Sequence, residues 1–333
     1  MNYIGSKLKL CQNFIPLTIK SVCGENVSQM IFCDIFAGTG IVGRRFKQFV
    51  KKIIANDIEY YSYVLNKNYI ENHIEISNTE ELLDELNSLN VIDKGFIFKN
   101  YCLGGDSERQ YFSDENGKKI DTIRIKIEEW KNSGKITDSI YFFLLCSLLE
   151  CADKVANTAS VYGAFLKKLK PSAQKRFVLE PAYFEINNNS HEVYNKDANI
   201  LIKDIEGDIL YLDPPYNARQ YGANYHLLNT IAEYKPFVPK GKTGLRNYKK
   251  SKYCSASIVN LEFESLIKNA KFKYIFLSYN NEGLMSLENI RKTMSKYGHY
   301  DVVQTNYQRF KADSNRFNKA IKTTEYLHIL EKQ

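Results

Sequence analysis

The stretch Met30-Ile31-Phe32-Cys33-Asp34-Ile35-Phe36-Ala37-Gly38-Thr39-Gly40 decides the fold. Its first five residues form a short apolar run of the kind that makes a buried strand, and the glycines beyond them mark a tight turn. Past the turn, Val42, Phe46 and Phe49 recur along one helix face. The pattern then repeats. Ile53 to Asn56 is a second apolar run, and Ile58, Tyr61, Leu65 and Tyr69 follow it at helical intervals. Strand, helix, strand, helix opens a parallel α/β sheet, and ligands of such sheets gather beyond the carboxyl ends of the strands.

Farther along the chain, Asp208 to Asp213 (DILYLD) reads as a strand that runs directly into Pro214-Pro215-Tyr216, and Lys273 to Tyr279 reads as another. Tyr300 to Tyr307 and Thr324 to Leu330 stand too close together for a helical crossover, so they are expected to pair antiparallel. Between about Ile74 and Ser190 the alternation lapses for too many residues to be a loop. That stretch holds an acidic helical segment (Glu80 to Leu89), an expected turn at Glu115-Asn116-Gly117, a helical run from Ile120 to Trp130, and an apolar helix from Ser139 to Cys151 that Asp138 is placed to cap. It ends in the cations Lys167, Lys168, Lys170, Lys175 and Arg176. We therefore expect residues 74–190 to be an inserted, mainly helical lobe with a phosphate-facing side, set into a sheet domain made of residues 1–73 and 191–333.

Composition narrows the class further. A chain of 333 residues with 44% hydrophobic and 13% aromatic content is globular and can bury a large core. Its longest apolar run, Ile140 to Leu149, falls short of the roughly 20 residues that a membrane helix needs. Met1 to Leu10 carries Lys7 and Lys9 but no apolar signal region, so a cytoplasmic protein is expected. Seven cysteines, odd in number and without a C-x-x-C spacing, suggest free thiols and no metal site. The net charge of +8 favours a polyanionic partner. It concentrates in Lys235, Lys240, Lys242, Arg246, Lys249, Lys250 and Lys252, a run without one acid inside a loop taken as residues 235–258.

The chemistry is carried by two motifs. Glycines after a strand let a ligand approach the backbone closely. Gly38, Gly40 and Gly43 even satisfy the Gly-x-Gly-x-x-Gly spacing of dinucleotide sites, with Asp57 ending the next strand where an acid takes ribose hydroxyls. Asp213-Pro214-Pro215-Tyr216 argues for a different ligand. Two prolines remove two N–H donors, which leaves a stiff chain whose carbonyls are free to accept. Asp213 and the Pro214 carbonyl can both accept from one exocyclic amino group, directing its lone pair at an electrophile, and the Tyr216 ring can stack on the base.

With these motifs the chain resembles the Dam-like alpha group of DNA adenine-N6 methyltransferases, in which a cofactor motif, an inserted target-recognition domain and a catalytic motif follow one another. The resemblance implies a Rossmann-like S-adenosyl-L-methionine-dependent fold with a mostly parallel sheet and an antiparallel closing strand. It implies that Tyr3 and Lys7 of Met1-Asn2-Tyr3-Ile4-Gly5-Ser6-Lys7 line the cofactor site, together with Asp34, Phe36, Gly38 and Gly40. Asp57 matches the ribose acid, Asp197 the acid that faces the adenine end of the cofactor, and Asp213, Pro214 and Tyr216 the catalytic motif. Tyr3 stands where many relatives have tryptophan, and Ser6 replaces a second glycine. Cytosine-N4 enzymes tend to begin the catalytic motif with serine and glutamine-directed relatives with asparagine, so Asp213 favours adenine; the alternatives to a restriction-modification methylase are a solitary or phage DNA adenine methylase and an RNA adenine-N6 methyltransferase. Double-stranded DNA is the implied partner, a cognate restriction endonuclease the implied functional partner, and a monomer the default. Lys240, Lys242, Arg246, Lys249, Lys250 and Lys252 are then the candidate phosphate contacts, with Arg309, Lys311 and Arg316 as a second group and Tyr307 as a candidate wall of the base pocket.

Overall fold

Seven strands form one sheet: β1 (Ile31–Asp34), β2 (Lys52–Asn56), β3 (Glu192–Tyr194), β4 (Glu206–Leu212), β5 (Lys271–Asn280), β6 (Gly298–Gln308) and β7 (Lys322–Lys332). Their order is β3-β2-β1-β4-β5-β7-β6. The first five run parallel, while β7 pairs antiparallel with β5 and β6 antiparallel with β7. The computed structural model describes residues 5–308 and 322–333. Tyr3, Arg309, Lys311 and Arg316 lie outside the described residues, as does the side chain of Tyr307.

Both sheet faces bury what the sequence offers them. Strand residues alternate between faces, and on one side Cys33, Leu210, Leu212, Ile275 and Leu277 pack with Val259, Phe263, Leu266 and Ile267 of the helix Val259–Asn269. On the other strand register, Phe32 stacks on Phe46 of the helix Ile41–Phe46 at 4.4 Å and on Tyr211 at 6.3 Å. Removing a ring as deeply buried as Phe263 costs about 3–5 kcal/mol. The site is therefore built on a rigid scaffold.

The residues fall into two units. The sheet unit takes Gly5–Asn66, Asn187–Gln220 and the described part of Lys249–Gln333; the helical unit takes Lys67–Ile186 and Tyr221–Tyr248. Residues 221–248, expected with the sheet, thus cluster with the helices, and the divide falls at Lys67 and Ile186 rather than at 74 and 190. Two local expectations are also corrected. Glu115-Asn116-Gly117 is not a turn but the start of the helix Asp114–Asn132, because the Ser113 side chain caps it by accepting from Asn116 N at 3.3 Å. Gly117 is needed there by close approach: a Cβ would lie 2.3 Å from Cys102 Sγ. The apolar helix runs Asp138–Val155, and its cap is Thr137, which accepts from Ile140 N at 3.3 Å. Asp138 sits one place inside, where a carboxylate still meets the positive end of the helix. Among the described residues, no helix is long and apolar enough to cross a membrane.

Candidate active site

In the sheet order the chain steps outward from β1 through β2 to β3, then returns to the far side of β1 for β4. The carboxyl ends of β1 and β4 therefore flank a topological switch point, the general ligand crevice of open α/β sheets. β1 ends at Asp34, which pairs with Tyr211 of β4, and Asp213 follows the last residue of β4. Two of the predicted acids are brought to neighbouring strand ends.

The glycine turn leaves β1 with Gly38 at φ 53° and Gly40 at φ 75°, a region costly for residues with a side chain. A Cβ on Gly40 would also lie 2.6 Å from Asn66 Oδ1. Asp57 braces this turn: one oxygen accepts from Gly38 N at 2.8 Å and the other from Glu59 N at 2.9 Å. Ser62 Oγ donates to the Gly38 carbonyl, and so does Asn66 Nδ2, at 3.1 Å. Asp57 is thus bonded to the backbone of the turn as well as standing at the expected strand end. Burial raises its carboxyl pKa even against these donors.

Asp34 is buried, and among the described residues neither of its carboxylate oxygens has a hydrogen-bond partner at ordinary geometry. Burial pushes its pKa well up, and the nearby Asp213 and Asp57 charges add to this. Asp197 caps the short helix Ala198–Leu201, accepting from Asn199 N at 2.9 Å and Ile200 N at 3.2 Å. Phe36 packs edge-on against Tyr253 at 4.9 Å.

Around Asp213 the structure assembles a cluster that the motif alone does not show. Lys7, buried, places its Nζ 3.2 Å from Asp213 Oδ1 and 2.9 Å from Glu325 Oε1. It also donates to the Tyr216 hydroxyl. That hydroxyl reaches Asp213 Oδ1 at 2.7 Å and Glu325 Oε1 at 2.9 Å, while Ser278 Oγ donates to the same Glu325 oxygen at 2.9 Å. The Tyr216 ring stands edge-on to Tyr279 at 5.0 Å. Burial works against the Lys7 ammonium, yet the two facing carboxylates outweigh it and raise its pKa. Burial lifts the Asp213 pKa, which Lys7 and the Tyr216 hydroxyl pull back and Glu325 pushes up again. Burial, with Asp213 and Glu325, also keeps Tyr216 a neutral hydroxyl.

Glu325 and Ser278 were missed by sequence reasoning. Their signal is period two: on β7, Thr323, Glu325, Leu327 and Ile329 are all buried, so an acid falls within a run of buried, uncharged residues on one strand face. The basic loop is less uniform than its sequence. Lys240, Lys242, Lys249, Lys250 and Lys252 are exposed, but Lys252 pairs with Glu262 at 2.9 Å and the partly buried Arg246 with Glu233 at 2.8 Å.

A family model described as D12 class N6 adenine-specific DNA methyltransferase matches residues 3–293. The chain belongs to this family. Among its relatives, Type II methyltransferase M.NlaIII of Neisseria lactamica is 65% identical, with 100% of this chain and 99% of that protein covered. Type II methyltransferase M.CviAII of Paramecium bursaria Chlorella virus 1 is 38% identical over 99% of this chain and 98% of its own length. Type II methyltransferase M.FokI of Planomicrobium okeanokoites is also 38% identical; the match covers 100% of this chain and 53% of M.FokI. A D12 class methyltransferase uses S-adenosylmethionine as methyl donor, and the residues at the switch point fit that donor. The turn has no side chain at Gly38 or Gly40 to obstruct an approach, and the buried Asp34 carboxyl keeps acceptor oxygens without a hydrogen-bond partner at ordinary geometry, which a polar ligand can meet.

Proposed function

We propose that this D12 class enzyme methylates N6 of an adenine extruded from double-stranded DNA at a specific sequence, and that Asp213, Pro214 and Tyr216 carry the reaction. The observation behind this reading is the position of Asp213 immediately after β4, across the switch point from Asp34 and the glycine turn. N6 inside a duplex is base-paired, so the target must leave the stack. The Tyr216 ring receives the base, and Asp213 with the Pro214 carbonyl accepts from the amino group, fixing the direction of its lone pair. Positioning and fixed dipoles then supply most of the acceleration. Asp34, Phe36, Gly38 and Gly40 hold the donor, with Asp57 near its ribose and Asp197 near its adenine; Tyr3 and Lys7 are assigned to the same pocket. When bound, S-adenosylmethionine supplies an electrophilic methyl group on a sulfonium.

The helical unit and the basic loop are assigned to DNA, with Lys240, Lys242, Lys249 and Lys250 as phosphate contacts. Because the near full-length relatives carry type II names, we assign the chain the protective half of a restriction-modification pair, acting in the cytoplasm as a monomer beside a cognate endonuclease. Incubation with labelled S-adenosylmethionine and mixed DNA should place label on adenine at one sequence. Asp213→Ala should abolish turnover and retain cofactor binding. Label in cytosine, or wild-type turnover in that variant, overturns the reading.

A further inference from the structure

β7 presents a carboxylate to the interior at a position where a strand normally offers an apolar side chain: Glu325 is 2% exposed. A buried charge is tolerated only when opposite charge and donors meet it. Three donors do so, all at one oxygen: Lys7 Nζ, the Tyr216 hydroxyl and Ser278 Oγ each lie 2.9 Å from Glu325 Oε1. Two of them, Lys7 and Tyr216, are also the groups that engage Asp213 Oδ1, at 3.2 Å and 2.7 Å. The third, Ser278, is a neighbour on β5 and anchors Glu325 where it is.

This sharing has a chemical consequence. A phenolic hydroxyl carries one proton, so Tyr216 can donate to only one of the two carboxylates at a time. The two acceptors are almost equidistant from it, at 2.7 Å and 2.9 Å. An amino group that arrives at Asp213 meets an oxygen already serving an ammonium and a hydroxyl. Each donor left on that oxygen draws off electron density that should orient the incoming amine.

We propose that Glu325 is a positioning residue that takes the Tyr216 hydroxyl, and the larger share of the Lys7 ammonium, away from Asp213 when the target base binds, leaving Asp213 Oδ1 to accept from N6. The inference rests on the reading that Asp213 receives the amino group. No covalent bond changes in this exchange. The Tyr216 proton stays on its own oxygen and turns from one carboxylate to the other, Lys7 remains an ammonium, and the charge of the cluster is conserved.

Glu325→Gln keeps the size and an acceptor oxygen but removes the charge that makes the exchange favourable. Single-turnover methyl transfer should fall about 100-fold, the scale of losing one preorganised electrostatic contact, with dissociation constants for DNA and S-adenosylmethionine within about threefold of wild type. Tyr216→Phe keeps the ring and deletes the shared proton, so the same glutamine change in that background should cost about tenfold or less, a coupling that a double-mutant cycle reads directly. A wild-type transfer rate in Glu325→Gln, or losses in the two variants that simply multiply, overturns the proposal. If Glu325→Gln does not fold, Glu325→Asp keeps the charge but withdraws it by one methylene from its donors; it should lose transfer rate selectively, and a wild-type rate there overturns the proposal equally. Failure of the underlying reading is separate: it would appear as turnover in Asp213→Ala, whatever the Glu325 variants do.

Discussion

Two aspartates, the buried Asp121 and the partly buried Asp213, are each held by a tyrosine hydroxyl, one in each unit, in opposite settings. Asp121, on the helix Asp114–Asn132, accepts from Ile97 N and Phe98 N at 2.8 Å each and from the Tyr234 hydroxyl. Asp213 accepts from the Tyr216 hydroxyl and faces Lys7. Burial raises the carboxyl pKa of both, to about 6 at Asp121. A perturbed pKa therefore does not tell them apart. The difference lies in the donors. Asp121 caps the helix Phe96–Tyr101 with fixed backbone N–H groups, and a Cβ on Gly95 would lie 2.0 Å from its Cγ, so nothing can enter. Its tyrosine sits at φ 48°, a left-handed position ending the helix His226–Glu233, which ties the carboxylate into the fold. Asp213 is met by side chains that have a second acceptor in Glu325, and it keeps 19% of its side-chain surface open. Donors that can leave, together with a path in, are what the role proposed for Asp213 requires.

The sharpest way to break this comparison is to neutralise each aspartate without changing its size. Asp213→Asn should lower methyl transfer by about three orders of magnitude, as expected when an essential acceptor loses its charge, and leave thermal unfolding almost unmoved. A large loss of stability with normal transfer would reverse the roles. Lys7→Met tests the electrostatic balance of the open cluster. It leaves the buried Glu325 and the partly buried Asp213 facing one another, so stability should fall by about 3 kcal/mol, the scale of an uncompensated buried charge. Burial and Glu325 raise the Asp213 pKa while Lys7 holds it down, so removal of Lys7 should move the acidic limb of the rate profile to higher pH. A limb that stays in place would show that Asp213 is not the titrating acceptor.

The closed site should respond more modestly and on a different axis. In Asp121→Asn, an amide N–H₂ must face a backbone N–H, and unfolding free energy at neutral pH should drop by about 1–3 kcal/mol with transfer kinetics intact below the melting temperature. Its pH dependence has a definite sign. The folded pKa of about 6 lies above the unfolded value of 3.8, so the folded state binds the extra proton between them. The resulting stability is full below about 4 and is lost as pH rises through 6, by an amount on the order of 3 kcal/mol. Denaturant unfolding at pH 4 and pH 7 should show wild type losing that margin over the asparagine variant, and equal slopes would remove Asp121 as its source.

How legible these two sites were in the sequence follows from their range. The strand and glycine turn at Met30 to Gly40 and the strand leading to Asp213 are local patterns, and the sheet confirms both: β1 begins one residue later than the sequence reading, and β4 begins two residues earlier and ends one sooner. The antiparallel closing pair was also legible, from spacing alone. Helix starts were less so, because Ser113 and Thr137 compete with Asp114 and Asp138 one place on, and only geometry decides which side chain turns back to cap. Glu325 lies 109 residues from Tyr216 and 318 from Lys7, so no window of sequence contains the cluster. Only the inward position of an acid on β7 hinted at it.

The same distinction between committed and available groups applies to the cations, where the expected effects are smallest. Lys249 and Lys250 are exposed and follow one another along the chain, whereas Lys252 is held by Glu262 at 2.9 Å. A lysine that already has a carboxylate partner must surrender it to neutralise a phosphate, so its net contribution to counterion release is reduced. Alanine at Lys249 or at Lys250 should each lower the slope of log K against log salt by about 0.9 for B-form DNA, and alanine at Lys252 by clearly less. Because phosphate contacts carry no sequence information, all three variants should still methylate the wild-type sequence. Equal slopes for Lys252 and Lys249 variants would mean that the Glu262 pair opens freely on DNA, and that availability at this surface is set by the partner rather than by the fold.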